Sequence, residues 1–199
     1  MTTLLQINTS IHAREGQSSL LAARFVEAFE RVHPAAQVVH RDLALEPVPH
    51  LSAERFAAFL ATPERRTPEQ RVVAQYSDRL IAELRQADVI VLGLPMYNVG
   101  VPLQLKSYFD HIARAGETFR YTAEGPVGLL RDKKAYVFAT RGGLYAGTAL
   151  DTQTAYVRDL LRFVGIEDIE FVYAEGLAIS PGKASGFARA TQQIARLAA

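Results

Sequence analysis

The chain has 199 residues, 49% hydrophobic and 22% charged, which suits one domain with enough core to fold unaided. It has no cysteine, which excludes a disulfide framework and a thiolate zinc site and fits a reducing compartment. A net charge of +1, with basic residues scattered among acidic ones, argues against a dedicated nucleic-acid surface, and no apolar run approaches the roughly 18 residues of a membrane-spanning helix.

The chain enters a strand-like run at once, without the basic segment, apolar stretch and small-residue cleavage site of a leader, so a soluble cytoplasmic protein is expected. Residues 3–8 (TLLQIN) form the first strand candidate. A polar loop with Ser10, Gly16, Gln17 and Ser18 follows and enters a helix from about residue 18 to 32, whose apolar period runs through Leu21, Phe25, Phe29 and Val32. Such a loop can cradle a phosphate on hydroxyls and free N–H groups at the positive end of the helix dipole. The competing reading is that Ser18 simply caps the helix.

Residues 37–41 alternate and read as a second strand near an edge, and residues 52–60 as a small helix capped by Ser52. Pro68 can open a long helix to residue 86. Val89-Ile90-Val91-Leu92, closed by Gly93 and Pro95, has the make-up of a strand buried on both faces of a parallel sheet. A turn over 96–100 and a helix opening at Pro102 and reaching about Arg114 complete the unit. The turn lies at the carboxyl end of a central strand, where open α/β sheets bind ligands. Met96, Tyr97, the Asn98 amide and Gly100 suit a planar polar ligand.

Residues 116–130 are too long for an ordinary connection and read as a hairpin or a lid beside the site, with Phe119 and Tyr121 either core or pocket wall. A strand over 134–139 leads into Thr140-Arg141-Gly142-Gly143, whose glycines let backbone approach a ligand. A helix over 151–164, a strand over 168–173, a loop over 176–182 and an alanine-rich helix over 183–198 finish the chain. Five strands alternating with helices predict an α/β three-layer sandwich: a parallel sheet in order 2-1-3-4-5, helices on both faces, one domain over residues 1–199. The three candidate loops then gather at one sheet end, one for a phosphate and two flanking a ring. No G-x-G-x-x-G follows the first strand, no Walker motif or nucleophile elbow appears, and the five histidines lack metal-ligand spacing. No catalytic side chain and no metal ligand is assigned, so reactivity is expected from a cofactor.

Several blocks carry a resemblance: Pro95-Met96-Tyr97-Asn98, Gln104-Leu105-Lys106-Ser107-Tyr108-Phe109-Asp110, residues 114–122 (RAGETFRYT), residues 125–130 (GPVGLL), Thr140-Arg141-Gly142-Gly143 and residues 171–176 (FVYAEG). With them the chain resembles, over nearly its whole length, the FMN-dependent NADH-azoreductases, a branch of the flavodoxin-like NAD(P)H:quinone oxidoreductases. The resemblance implies that Ser10, Gly16, Gln17 and Ser18 hold the FMN phosphate. Met96, Tyr97, Asn98 and Val99 would line the flavin ring, with Thr140, Arg141, Gly142 and Gly143 on its other side. It also implies a homodimer with sites at the interface, and Phe119, Tyr121, Tyr145 and Phe163 shaping the substrate pocket, Phe163 from the partner chain.

Three departures stand out. Gly16 replaces the first serine of the usual Ser-x-Ser, Val99 a frequent Phe, and Tyr145 a His of some members. The implied activity is ping-pong hydride transfer from NADH or NADPH through FMN to a quinone, azo or nitroaromatic acceptor. Arg65, Arg66 and Arg141 are the arginines offered to the 2′-phosphate that distinguishes NADPH. The alternative is a flavodoxin-type electron carrier, with a flavin-free binding module third. Carriers of that kind are strongly acidic, whereas this chain has a pI near 8.0.

Overall fold

The computed structural model describes residues 1–179 and 182–198, without the side chains at 182 and 183. Five parallel strands form the sheet: β1 (Thr3–Asn8), β2 (Gln37–Asp42), β3 (Val89–Pro95), β6 (Lys134–Thr140) and β7 (Asp168–Ala174). Their order is β2-β1-β3-β6-β7, the predicted 2-1-3-4-5 once a separate two-stranded hairpin, β4 (Phe119–Thr122) and β5 (Gly125–Gly128), is numbered in sequence. Among the described residues six α-helices accompany them: α1 (Gln17–Val32), α2 (Ala53–Leu60), α3 (Pro68–Gln86), α4 (Leu103–Ile112), α5 (Thr154–Phe163) and α6 (Gly182–Leu197).

Alternation along the strands sorts the core into two layers. Leu4, Val91, Phe138 and Val172 face α1 and α6, where they meet Leu21, Phe25 and Ile194. Leu5, Ile90, Leu92 and Val137 face the other layer and pack with Leu80 and Ile81 of α3, Leu105 and Phe109 of α4, and Val157 and Leu161 of α5. Burial on both faces explains why the inner strands read as continuous apolar runs. The more exposed β2 lies at the edge, as its alternation suggested.

Local chemistry starts the helices. Ser52 Oγ accepts from Arg55 N–H at 3.3 Å. Thr67 and Gln70 form a reciprocal capping box ahead of Pro68. Several boundaries differ from expectation, α5 starting at Thr154 rather than 151 and α4 ending at Ile112 rather than near Arg114 among them. Pro102 caps α4 rather than opening it. Strand β3 does not close at Gly93 but runs on through Pro95. Gly93 is a glycine for a packing reason: a Cβ there would lie 3.2 Å from the carbonyl oxygen of Ser18, so its absence lets the first turn of α1 settle on the strand. The expected loop over 176–182 falls partly on residues 180–181, outside those described.

The segment after α4 is a hairpin as read, but it is not a lid over this chain's own site. Helix α4 starts at the carboxyl end of the sheet and returns the chain to the amino end, where the hairpin base is anchored. Arg85, at the foot of α3, donates to Glu117, and the N–H groups of Leu129 and Leu130 both donate to Val164 O, just past α5. A Cβ on Gly128 would come 2.1 Å from Gly165 N, so the two glycines let this connection press against the sheet's lower end. Among the described residues no helix is long and apolar enough to cross a membrane.

Candidate functional site

Three loops meet at the carboxyl ends of β1, β3 and β6. In the first, Thr9 Oγ1 donates to Gly93 O at 2.7 Å and pins the loop to β3. Ser10 is buried; its Oγ accepts from His12 N–H at 3.2 Å and shares a 3.1 Å hydrogen bond with Tyr97 Oη, joining the first loop to the second. A 3-10 turn (Ala13–Glu15) then delivers the chain to Gly16, which caps α1 without a side-chain hydrogen bond. Ser18 is therefore not the cap. Its Oγ is buried and has no partner, and the N–H groups of Gln17, Ser18 and Ser19 meet no acceptor among the described residues. Buried hydroxyls are ordinarily satisfied. Three free N–H donors, an orphaned hydroxyl and the positive end of a helix dipole fit a phosphate, the anionic end of FMN.

Position 16 must be glycine in this arrangement. A Cβ there would sit 2.1 Å from Ser10 Oγ and 2.4 Å from Ser10 Cβ, so a serine at 16 would have to displace Ser10 from its bond with Tyr97.

In the second loop Met96 N–H donates to Thr140 O at 3.0 Å, continuing the β3–β6 ladder into the site. Asn98 and Val99 both have positive φ, 49° and 60°. For a β-branched residue this conformation is strained by about 1–3 kcal/mol and persists only where its surroundings impose it. The surroundings are Gln153 and Thr152: Gln153 Nε2 donates to Pro95 O and Gly100 O, each at 2.9 Å, and Thr152 Oγ1 donates to Val99 O. Ile11, Met96, Tyr97, Asn98, Pro102 and Leu103 border a cleft of about 690 Å³, within the size range of cofactor sites.

The third loop rests on Arg141, whose side chain is wholly buried and not free for a ligand. Its guanidinium donates to Asp151 Oδ1 at 2.7 Å, Glu175 Oε1 at 3.3 Å and Thr154 Oγ1 at 3.0 Å, and lies 5.0 Å over the Tyr173 ring. Its terminal nitrogens are taken by these partners and none of the side chain is exposed, while Nε has no partner among the described residues. Burial opposes the charge on Asp151, but hydrogen bonds from Arg141 and Thr154 outweigh it and hold its carboxyl below the usual range. Glu175 Oε1 also accepts from the N–H groups of Tyr145 and Ala146, both at 2.8 Å. The carbonyls of Arg141, Gly142 and Gly143 are taken by the N–H groups of Leu177, Ala178 and Gly176. The N–H groups of Gly142 and Gly143 meet no acceptor among the described residues, and buried Thr140 precedes them. Gly143 answers to its own loop as well, since a Cβ there would lie 2.9 Å from the Tyr145 ring.

The phosphate-loop and ring-lining residues expected from sequence are thus brought together, with Tyr145 beside them. The other substrate residues are not. Phe119 and Phe163 pack ring on ring, 4.3 Å between centroids, at the hairpin base, and Tyr121 meets Phe119 edge-on at 5.4 Å while remaining 73% exposed. Phe163 makes this contact within its own chain. Of the other arginines, Arg66 Nε donates to the carbonyls of Ala58 and Ala61. The sequence reading missed Gln153, Asp151 and Glu175. Only Asp151 carried a local signal, three residues before a threonine at a helix start. Among the described residues no cluster of His, Cys, Asp or Glu could hold a metal ion.

A family model described as a flavodoxin-like fold matches residues 2–198. The FMN-dependent NADH:quinone oxidoreductase of Cellvibrio japonicus (strain Ueda107) is 54% identical over 194 residues, 98% of this chain and 97% of that protein. The azoreductase from Bacillus anthracis str. Sterne superposes with a TM-score of 0.91 at 28% identity, over 100% of this chain and 99% of that chain. An FMN-dependent NADH-azoreductase from Bacillus anthracis str. Ames Ancestor, solved in complex with FMN, gives 0.88 at 25% identity, covering 100% of both chains. This chain belongs to the flavodoxin-like family that includes the FMN-dependent NADH:quinone oxidoreductases.

Proposed function

We propose that the chain is an FMN-dependent NADH:quinone oxidoreductase that also reduces azo compounds, the activities for which its relatives are named. The observation that carries this reading is the orphaned Ser18 hydroxyl among three unpaired N–H groups at the amino end of α1. FMN, when bound, would supply the redox chemistry, a two-electron transfer between NADH and the acceptor. Ser10, Gly16, Gln17 and Ser18 hold its phosphate. Met96, Tyr97, Asn98 and Val99 line one side of the ring, and Thr140, Gly142 and Gly143 the other. The N–H groups of Gly142 and Gly143, which meet no acceptor among the described residues, would donate to the bound ring and favour negative charge there. Arg141 acts indirectly, by holding that loop.

Residues 1–199 act as one FMN-binding domain, in the cytoplasm. The relatives are named for NADH, which favours NADH as the donor here. Ile11, Val99, Leu103, Leu144 and Leu150 are exposed on or beside the site loops, an apolar rim suited to burial in a homodimer. In that dimer the partner subunit's hairpin, bearing Phe119 and Tyr121, and Phe163 at the end of its α5 complete the substrate pocket that one chain leaves open.

Reconstituted with FMN, the protein should oxidise NADH with benzoquinone or an azo dye as acceptor. Initial rates at several fixed acceptor concentrations should give parallel double-reciprocal lines. NADH oxidation that neither acceptor accelerates would contradict the assignment and favour the electron-carrier reading.

A further inference from the structure

On the α1 face of β1 the side chains turn polar towards the carboxyl end. Leu4 belongs to the apolar core, but Gln6 and Asn8, next on the same face, are buried amides, Gln6 Nε2 donating to Asn8 Oδ1 at 3.1 Å. His40 and Asp42 stand beside them in register on β2. Together with Ser19 of α1, Arg14 and Glu46 they line a cavity of about 330 Å³, on the β2 side of α1 and apart from the ring-lining loops. Among the described residues two polar atoms here have no partner: Ser19 Oγ, in a residue only 2% exposed, and the buried Oδ2 of Asp42. The other Asp42 oxygen accepts from Ala44 N–H at 3.0 Å, so the carboxylate is fixed with one oxygen unused. Glu46 is occupied by Arg41.

We propose that this cavity binds the ribose phosphate of a nucleoside monophosphate, independently of the flavin. A fixed carboxylate oxygen beside an unpaired hydroxyl calls for a ligand that donates hydrogen bonds, and a vicinal diol supplies two donors. A carboxylate at the end of the second strand of a β-α-β unit is where dinucleotide-binding sheets hold ribose hydroxyls. The carboxylate disfavours a bare anion, and Arg14 disfavours a bare cation. A hydroxyl-rich ligand carrying a phosphate satisfies both, with the Arg14 guanidinium as the anion's partner. The β1–α1 loop lacks the glycine-rich turn that admits a pyrophosphate, so a monophosphate is the fitting class.

The test is calorimetric titration of FMN-loaded protein with AMP, 2′,3′-dideoxy-AMP, ribose 5-phosphate and inorganic phosphate, following the flavin absorbance throughout. AMP should bind saturably without releasing FMN. Loss of the diol, Asp42→Asn and Ser19→Ala should each weaken it by about tenfold or more, and Asn at 42 still offers an oxygen to the Ala44 N–H. Four results would overturn the proposal: no AMP binding at millimolar concentration; binding unchanged by the dideoxy analogue or by both variants; phosphate binding as tightly as AMP; or AMP that binds only by expelling FMN. Protein that never takes up FMN shows no flavin band, so failure of the flavoprotein reading is seen separately.

Discussion

Replacing Arg141 with methionine is expected to cost about 3–5 kcal/mol of stability at neutral pH, lowering the melting temperature by roughly 10 °C. The guanidinium is wholly buried between Asp151 and Glu175, and a side chain of similar length without the charge leaves two nearly buried carboxylates facing one another. The pH dependence separates this mechanism from simple loss of packing. The folded-state pKa of Asp151 is lowered, so its stabilisation is present above the unfolded value and lost as pH falls through the folded value. In the variant the arginine is gone and burial favours the protonated acid. The gap between wild type and variant should therefore be widest near neutrality and narrow as pH falls towards about 4. Denaturant unfolding at both pH values measures it, and a gap independent of pH would refute the electrostatic account. Because Glu175 also holds the N–H groups of Tyr145 and Ala146, the variant should bind flavin less tightly as well.

Ser18→Ala is expected to weaken FMN binding by about 10- to 100-fold, the equivalent of the roughly 1.5–3 kcal/mol contributed by a hydrogen bond to a charged group. The flavin-free protein should lose no stability, because Ser18 Oγ has no partner to lose. Titration of flavin-free protein with FMN, followed by quenching of flavin fluorescence, gives the affinity, and denaturant unfolding gives the stability. Unchanged affinity would remove the phosphate from this loop. Loss of affinity together with loss of flavin-free stability would mean that the hydroxyl supports the fold instead.

The alternation of strands and helices was legible because β3 is a β-branched run, β1 and β6 are short stretches with apolar centres, and the helices keep their period. The loop proposed to hold the phosphate was legible as a cluster of polar residues between β1 and α1. What escaped the reading depends on contacts distant in sequence. Arg141 looks like a free cation on a glycine loop, and nothing local shows that Glu175, 34 residues on, and Asp151 converge to bury it. Gln153 lies 58 residues from Pro95, whose carbonyl it holds. Val99 was read for the aromatic it replaces, whereas its structural distinction is a backbone conformation that valine disfavours. The glycine in β3 reads locally as a stop, although α1 needs it in mid-strand. The hairpin's position was open to inference: in a parallel sheet every helix returns the chain to the amino end, so a segment between α4 and β6 has to begin there.

The most direct test of the central claim is an anaerobic visible spectrum of the FMN-reconstituted protein, before and after NADH and again after benzoquinone. The account predicts that NADH alone bleaches the oxidised-flavin band rapidly and that quinone restores it. A flavin band left intact by NADH, or a protein that takes up no flavin, would contradict it.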